Sequence, residues 1–548
     1  MAEGANHIEL LINSGLYQKA IHFLNSNLAT DGDNLRYRQL LALCYSRSGA
    51  LDQALEYFEP IFLQHRNDPE TTGIMGGIYK RLFAEHQDQA WARKAAETYS
   101  NNFDLTGNYY PGINAASMFV MSGKASAGKE LSKRIIEGLD NNSSDVWVNS
   151  TLAEAYLLIR ERTLSKEFYL KTRKLIGNDW GALSSVYKQL WLLNHYISVP
   201  RDIIKLFAPP KVTIFSGHMI DSSDRVKPRF TNAMAIEIKM AISAAIKNQQ
   251  IEIGYCSLAC GADILFAEAM LEAGKALYPI LPFDQDDFLE QSVRFAGDDW
   301  EQRFYNIIKK LPAFFISKAP YSGKQESFEF LSKVMMGKAI LHAKSIQSEA
   351  NLLTALSSMS LEAKSGGTRY LFNLWPKDQQ SINIDTDQYL SDASVNNSKT
   401  VKKYSYTDEN IVLSYMVSIS ADDGILDSAL NSSFEDQFGL TSDNKYCTFH
   451  FRNETSVLEF LKRSNLQNNR HALLHAAPVV FDVESKKISG YGARLMDSLA
   501  PGVLQNGIMA TENFAACLAT RSMTAIVKYA GQVDLEEQKI ALYAVNLT

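Results

Sequence analysis

The feature that most limits the fold of this chain is a repeat near its N-terminus. The segment SGLYQKAIHFLN at residues 14–25 returns as SGALDQALEYFE at residues 48–59, a shift of 34 residues. Ala20 and Ala54 share this spacing, and so do Phe23 and Tyr57. A small residue lets paired helices approach and an aromatic residue fills the groove between them, so the repeat predicts stacked helical hairpins.

The repeat resembles tetratricopeptide repeats (TPR), whose period is about 34 residues. The segment RNDPET at residues 66–71 supplies a turn, with Pro69 where the next helix begins. Helical patterning continues to about residue 206, which predicts an N-terminal α-solenoid over residues 1–206. Solenoids of this kind bind proteins or peptides on a concave surface, so we expect a protein partner there.

Composition restricts the class of protein further. A chain of 548 residues is too long for one core, and 46% hydrophobic with 21% charged residues is typical of folded soluble proteins. The net charge of −6 and the lack of a Lys/Arg block argue against a nucleic-acid partner. Five scattered cysteines favour a reducing compartment, and no apolar run or signal peptide indicates a membrane. We therefore expect a cytoplasmic protein.

Residues 208–390 have a different pattern. APPKVTIFSGHMID at residues 208–221 ends the helices with two prolines and begins a buried strand over Val212–Phe215. Short apolar segments then alternate with amphipathic ones, as in IEIGYCS (251–257), GADILFAEAMLEAG (261–274) and ALYPILPF (276–283). This alternation predicts a Rossmann-like, doubly wound parallel sheet, an α/β architecture.

Ligands of such sheets bind at the carboxyl ends of the strands. Three small-residue turns should lie there, at Ser216–Asp221, Ser257–Asp263 and Ser365–Thr368, and their glycines would let backbone amides hold an anion. The expected ligand is a nucleotide or a molecule derived from one. The candidate ligand-binding residues are Ser216, Gly217, His218, Asp221, Arg225, Arg229, Cys260, Gly261, Asp263, Gly366, Gly367 and Thr368.

Each of these interpretations has a structural alternative. Gly261 either forms the floor of a phosphate site or only permits a tight bend. Arg225 and Arg229 could bind phosphate through their guanidinium groups while Asp221 accepts a ribose hydroxyl, or the loop could be held by surface ion pairs. Glu268 is either an acid–base group or a carboxylate that faces solvent or caps a helix.

The SGH after the first strand, the turn SLACGADILFAEAML (257–271) and the later SGGT together resemble the SLOG superfamily. That superfamily includes the DNA-processing Smf proteins and the Lonely Guy phosphoribohydrolases. The resemblance covers about residues 208–390 and implies a Rossmann-like domain that binds a nucleotide. The glutamate that follows Gly-Thr in Lonely Guy enzymes has no counterpart in GGTRYLF, which argues against their hydrolytic activity.

A segment rich in serine and asparagine at residues 391–407 is predicted to be a linker, and residues 408–548 form a third region. LHAAPV (474–479), LAPG (499–502) and MATENFAA (509–516) occur in the order of similar motifs in class III adenylate and guanylate cyclases. The C-terminal region thus resembles an α+β cyclase domain, which implies a role in pairing subunits as a homo-oligomer.

Cyclases of that class need two carboxylates that hold two metal ions. Met416 and Lys445 stand at the aligned positions, and neither side chain can replace an oxygen ligand. Arg494 matches the arginine that stabilises the transition state, but Gly490 replaces the preceding asparagine. A slip in register would bring in other carboxylates, namely Asp422, Asp423 or Asp443. We expect an inactive cyclase fold and no metal site.

These patterns together predict a cytoplasmic signalling protein with a protein-binding solenoid, a nucleotide-sensing central domain and an inactive cyclase-like domain. No cofactor is required by this interpretation. The resemblance to SLOG proteins implies a role in stress response or antiphage defence. Two enzymatic alternatives stay open: an N-glycosidase or nucleotide hydrolase using Asp221 or Glu268, and an active cyclase using Arg494.

Overall fold

The computed structural model describes residues 2–13, 16–177, 179–222, 225, 227–359, 367–377, 379–390, 410–420, 436–442, 445–464, 471–503, 507–520, 525–535 and 538–547. The chain divides into two compact units. The first contains Met1–Pro209 with Tyr529–Ala541, and the second contains Pro210–Lys528 with Leu542–Thr548. Among the described helices, none has the length and hydropathy needed to cross a bilayer.

The N-terminal part of the first unit, up to Pro209, is a series of helices, as the repeat predicts. They are α1 (Ala2–Asn13), α2 (Tyr17–Leu28), α3 (Leu35–Arg47), α4 (Leu51–Gln64), α5 (Pro69–His86), α6 (Gln89–Thr106), α7 (Tyr109–Met121), α8 (Ala125–Gly138), α9 (Val146–Leu158), α10 (Arg162–Ile176), α11 (Trp180–Asn194) and α12 (Arg201–Leu206). Ala20 and Ala54 are fully buried, as close packing of helix pairs requires. Asp68 caps α5 at the amide of Thr71, and Pro69 is its first residue. Gly15 lies outside the described residues.

A polar cluster joins α5, α7, α9 and α11 within this unit. The Lys80 ammonium donates to the side-chain oxygens of Asn114, over 2.6 Å, and Gln189, over 3.3 Å. Gln189 in turn donates to Glu154 over 2.6 Å, and Ser117 donates to the same carboxylate. Burial lowers the pKa of Lys80 and raises the pKa of Glu154, so this pair is held away from water by the helices around it.

The second unit begins with a six-stranded sheet in the order β4-β3-β2-β1-β5-β6. Its strands are β1 (Val212–Gly217), β2 (Ile253–Cys256), β3 (Ala276–Leu281), β4 (Phe314–Phe315), β5 (Ala350–Ala355) and β6 (Ser381–Ile384). Its helices are α13 (Ala235–Asn248), α14 (Ala262–Glu272), α15 (Gln285–Ser292), α16 (Asp298–Lys310), α17 (Glu326–Ser345) and α18 (Thr368–Leu374). Every pair of neighbouring strands is parallel, which confirms the predicted parallel sheet.

The remainder of the second unit contains a mixed sheet in which β10, β7, β9 and β8 are antiparallel neighbours in that order. The strands are β7 (Ile411–Ser420), β8 (Gln437–Ser442), β9 (Tyr446–Phe451), β10 (Ala472–Phe481), β11 (Ile488–Ser489), β12 (Ile508–Thr511) and, later in the chain, β13 (Ala525–Leu535) and β14 (Gln538–Leu547). Within these last two strands, the residues from Tyr529 to Ala541 belong to the first unit. The helices are α19 (Glu454–Arg463), α20 (Tyr491–Val503) and α21 (Glu512–Ala519). The predicted linker, residues 391–407, lies outside the described residues.

Helix α17 packs between the two sheets of the second unit. Its apolar residues share one core with strands of both sheets, including Val212 and Ile214 from β1 and Val417 from β7. Gly337 lies so close to α21 that an added Cβ would be 2.0 Å from the carbonyl oxygen of Ala516. The sequence predicts separate central and C-terminal domains, but the described parts of both regions bury their apolar faces against the same helix.

Candidate functional site

The central strand β1 is where the strand order of the parallel sheet reverses. The chain continues from β1 to β2, β3 and β4 on one side, while β5 and β6 lie on the other. Gly217, the last residue of β1, pairs with Ala355, the last residue of β5. A crevice outside the carboxyl ends of two such strands is where open α/β sheets bind ligands. The predicted Ser216, Gly217 and His218 all lie at this point.

The turn before α18 is fastened to the end of β1. The Thr368 hydroxyl donates to the carbonyl of Gly217 over 2.8 Å, and the Ser216 hydroxyl donates to Thr368 over 3.2 Å. Gly367 immediately precedes α18. The structure therefore brings the described part of this turn to the first predicted turn, while Gly366 lies outside the described residues. The third predicted turn, at residues 257–263, meets the same strand end.

The turn at Gly261 is filled by the chain itself. Gly261 has a φ of +97°, and an added Cβ would lie 2.8 Å from both the carbonyl oxygen of His218 and the amide nitrogen of Ile220. The amide of Ala262 donates to His218 over 3.1 Å, and the amide of Ile220 donates to the buried Cys260 over 3.3 Å. The bend is thus explained by close packing of two backbone segments, and a phosphate floor at Gly261 stays a prediction.

Asp263 connects α14 to β1. Its Oδ1 accepts a hydrogen bond from the amide of Gly217 over 3.0 Å. Burial raises the pKa of Asp263 to about 7, although backbone hydrogen bonds from Gly217 and Ala259 oppose the increase. A buried carboxyl therefore lies directly against the strand end at which we expect a ligand.

Asp221 organises the loop that follows β1. The residue is 1% exposed, and its Oδ2 accepts from the amides of Arg229, over 2.6 Å, and Phe230, over 2.8 Å. Its Oδ1 lies 3.0 Å from Nε of Arg225 and 3.7 Å from Nε of Arg229. The carboxylate thus anchors the loop and orients both arginines, which favours a structural role over contact with a ribose.

His218 is a buried neutral imidazole among three arginines. Its Nε2 accepts from the amide of Ser357 over 3.0 Å, so the ring's proton is on Nδ1. Burial, together with the nearby charges of Arg229, Arg225 and Arg369, lowers the pKa of His218 to about 3. Two of these guanidinium groups come from the loop after β1, where Asp221 pairs with them, and the third comes from α18. Three positive charges near one point favour an anion in the adjacent space.

Arg369 is a member of this cluster that sequence reasoning missed. Its guanidinium donates to the carbonyl of Ser357 over 2.9 Å, the same residue whose amide binds His218. The available signal was its position, because Arg369 follows Thr368 directly after the glycine turn GGT. A basic residue next to such a turn is a natural candidate for an anion site.

Glu268 belongs to a different cluster from Asp221. Its two oxygens each accept from Arg303 over 2.7 Å, and Lys239 lies 3.0 Å away. Burial alone would raise the pKa of Glu268, but the hydrogen bonds from Arg303 and Lys239 lower it overall. A carboxylate held in this way is a poor general acid. Glu268 also neither faces solvent nor caps a helix, as its structural alternative expected, but holds α14 to Arg303 and Lys239 through ion pairs.

In the C-terminal sheet, Met416 lies fully buried in the middle of β7. In the strand register it is opposite His475 on β10 and His450 on β9. Arg494 is exposed on α20, and Gly490 precedes that helix with a φ of +103°. The alternative carboxylates, Asp422, Asp423 and Asp443, lie outside the described residues.

Potential metal ligands are not gathered anywhere in the part of the chain that the structure describes. No group of three or more histidine, cysteine, aspartate or glutamate side chains there could hold a metal ion. The five cysteines are free and buried. His475 instead binds the Thr511 hydroxyl over 2.7 Å, and His471 accepts from the amide of Gly507 over 2.8 Å.

Comparison with known proteins bears on the helical region. Residues 16–119 match the family model Tetratricopeptide Repeats-Sensor. No curated protein matches the chain. Solved structures that are similar include a thermophilic TPR protein of Thermus thermophilus, with 14% identity, 35% of this chain and 98% of that chain covered, and a TM-score of 0.29. MamA protein is also similar, with 14% identity and a TM-score of 0.25. The match covers 32% of this chain and 93% of the MamA chain. The family match supports the TPR prediction.

Proposed function

We propose that this chain is a cytoplasmic signalling protein that binds a nucleotide or nucleotide-derived anion at the carboxyl ends of β1 and β5. The observation that carries the proposal is the position of three guanidinium groups next to His218. Arg225 and Arg229 pair with Asp221 in the loop after β1. Arg369 donates to the carbonyl of Ser357, whose amide donates to His218. Arginine forms paired hydrogen bonds with phosphate, and each such charge-assisted bond is stronger than a neutral one. The reversal of strand order at β1 supports the same location.

The helical unit is the part that we assign to protein binding. TPR solenoids present a curved surface built from equivalent positions of successive helices, and such surfaces bind proteins or peptides. The matching family model is described as a sensor, which fits a chain in which repeats accompany a ligand-binding sheet. A role in stress response or antiphage defence is part of this proposal and rests on the resemblance of the central region to SLOG proteins.

The C-terminal sheet fits a structural role in this proposal. Met416 and Lys445 occupy the positions at which a cyclase would need carboxylates. The sheet also shares α17 with the parallel sheet, so it supports the region that contains the ligand site. The hydrolase alternative gains no support, because Asp221 and Glu268 are both held by ion pairs in separate clusters.

Calorimetric titration of the full chain tests the ligand site. AMP, ADP, ATP, NAD and ADP-ribose would each be titrated into the wild type, then into Arg225→Ala, Arg229→Ala and Arg369→Ala. We expect at least one nucleotide to bind and each variant to weaken binding roughly tenfold to 150-fold, since a hydrogen bond to a charged group contributes about 1.5–3 kcal/mol.

The matched control is Arg294→Ala, which removes a guanidinium bound to Glu301 over 2.9 Å in the same unit. This variant should bind like the wild type. If no nucleotide binds, or if affinity is the same in all three site variants as in the control, the proposed site is wrong.

A further inference from the structure

A buried hydroxyl group without a hydrogen-bond partner lies at the carboxyl end of β2. Ser257 directly follows the last residue of that strand and is 7% exposed. Among the described residues, none donates a hydrogen bond to its Oγ or accepts one from it. Buried polar groups in folded proteins are nearly always paired, so this hydroxyl needs a partner from outside the chain, which is either a ligand or a water molecule.

The strand register brings Ser257 next to the candidate site. Ile214 of β1 lies opposite Tyr255 of β2 in the parallel sheet. Side chains alternate between the two faces of a sheet, so we expect Ser216 and Ser257, each two residues further along, to share the face of Ile214 and Tyr255. The hydroxyl of Ser257 is therefore placed beside the strand end from which the candidate site is built.

The hydroxyl groups next to Ser257 have already used their protons. Ser216 donates to Thr368 over 3.2 Å, and Thr368 donates to the carbonyl of Gly217 over 2.8 Å. A serine hydroxyl can donate one hydrogen bond, and Ser257 still has this bond to make. An oxygen of a bound anion is a suitable acceptor, because a hydrogen bond to a charged group is stronger than one between neutral groups.

We propose that the Ser257 hydroxyl donates a hydrogen bond to a phosphoryl oxygen of the ligand, which then lies across the ends of β2 as well as β1 and β5. This inference rests on the proposed function and adds one contact to it, on the side of β1 that faces away from β5. Arg225, Arg229 and Arg369 supply positive charge, whereas Ser257 supplies a short donor in a buried position. Removal of this hydroxyl should therefore weaken ligand binding without weakening the ligand-free fold.

Two measurements on the full-length Ser257→Ala chain test the inference. In urea, the ligand-free variant should unfold at the midpoint of the wild type or above it, because no hydrogen bond within the chain is lost. In calorimetric titrations with AMP, ADP, ATP, NAD and ADP-ribose, the variant should bind about tenfold more weakly than the wild type, or more weakly still.

The matched control is Ser418→Ala on β7. Ser418 is fully buried, and its hydroxyl likewise has no hydrogen-bond partner among the described residues. Since Ser418 lies in the mixed sheet and not at the ends of β1 and β2, its variant should bind each ligand like the wild type.

The possible outcomes separate this inference from the proposed function. A clear fall in the urea midpoint of Ser257→Ala would show that the hydroxyl has a partner in the ligand-free protein, and unchanged affinity would show that the ligand does not contact it. Either result overturns the inference even where Arg369→Ala weakens binding. A wild type that binds none of the five ligands overturns the proposed function and this inference with it.

Discussion

The hydroxyl of Thr368 donates a 2.8 Å hydrogen bond to the carbonyl of Gly217, so the start of α18 is fastened to the last residue of β1. Ser216 donates to the same hydroxyl over 3.2 Å. The end of β1 and the start of α18, which both lie next to the arginine cluster, are therefore joined through the side chain of Thr368. Loss of this connection should affect both the stability of the unit and the geometry of the site.

Thr368→Val tests that connection, because valine keeps the branched shape but removes the hydroxyl. We expect the free energy of unfolding to fall by about 1–2 kcal/mol, since each lost hydrogen bond costs about 1 kcal/mol. Nucleotide affinity should fall as well. Urea unfolding and calorimetric titration measure the two effects, and Thr520→Val, whose hydroxyl caps the end of α21 over 2.7 Å, serves as control. Unchanged affinity in Thr368→Val would remove this turn from the site.

Gly261→Val is expected to destabilise the second unit, because the new side chain would contact the backbone of His218 and Ile220 at a positive φ. Overpacking and backbone strain each cost about 1–3 kcal/mol. Gly274→Val is the matched control, since Gly274 has a φ of +67° with open space around it. Chemical unfolding should show a clearly larger loss for Gly261→Val. Equal losses would mean that the close approach at Gly261 contributes nothing.

Acid should destabilise the chain through its buried histidines. Burial lowers the pKa of His450 to about 4, whereas an unfolded histidine ionises near 6.5. Below about pH 6.5 the unfolded state therefore binds more protons than the folded state. The stability that comes from keeping His450 neutral is fully present above that pH and is lost as pH falls towards 4. Asp263, with its raised pKa, has the opposite effect, its contribution being lost as pH rises through about 7.

Comparing the wild type with His450→Gln separates the pH dependence due to His450 from that due to Asp263. Between pH 7 and pH 5, His450→Gln should lose about 2 kcal/mol less unfolding free energy than the wild type, since one pKa unit corresponds to about 1.4 kcal/mol. Urea titrations at both pH values provide the four free energies that are needed. An identical decrease in the two proteins would show that His450 is not the group that titrates.

The full chain should yield no cyclic nucleotide from ATP or GTP with magnesium or manganese. The proposed resemblance to cyclases aligns Met416 and Lys445 with the two metal-binding carboxylates. Met416 is fully buried and has a thioether, and Lys445 carries a positive charge, so neither could supply the oxygen ligand that a hard cation requires. Chromatography of the reaction mixture after prolonged incubation is the measurement. Cyclic AMP or cyclic GMP that forms with the wild type and disappears with Arg494→Ala would contradict the inactive assignment.

Several strands of the parallel sheet can be predicted because each of them has its own local signal. Val212–Phe215 was expected as a strand from its apolar run between Pro210 and Gly217, and the structure extends it to Gly217. Strand β4 was missed, since two phenylalanines carry no periodicity. The parallel order follows from alternating strands and helices, which leave few other topologies.

The site was predicted less completely, because its contacts join residues far apart in the chain. The glycine turns suggested where Gly217 and Thr368 would lie, but nothing local indicates that Asp263 binds the amide of Gly217. The pairing of Glu268 with Arg303 is equally invisible, since their side chains meet only after α14 and α16 pack. Local patterns identify the type of each element, whereas tertiary packing decides which side chains meet.

The contact between Gly337 and Ala516 affects how the chain is made. Helix α17 leaves the ribosome with one apolar face that its own parallel sheet does not cover, and the helix that completes it ends near residue 519. At about 5–20 residues per second, synthesis of the intervening chain takes roughly 10–35 s. During that time the nascent protein exposes a surface suited to chaperone binding, so its yield in cells should depend on translation speed after residue 345.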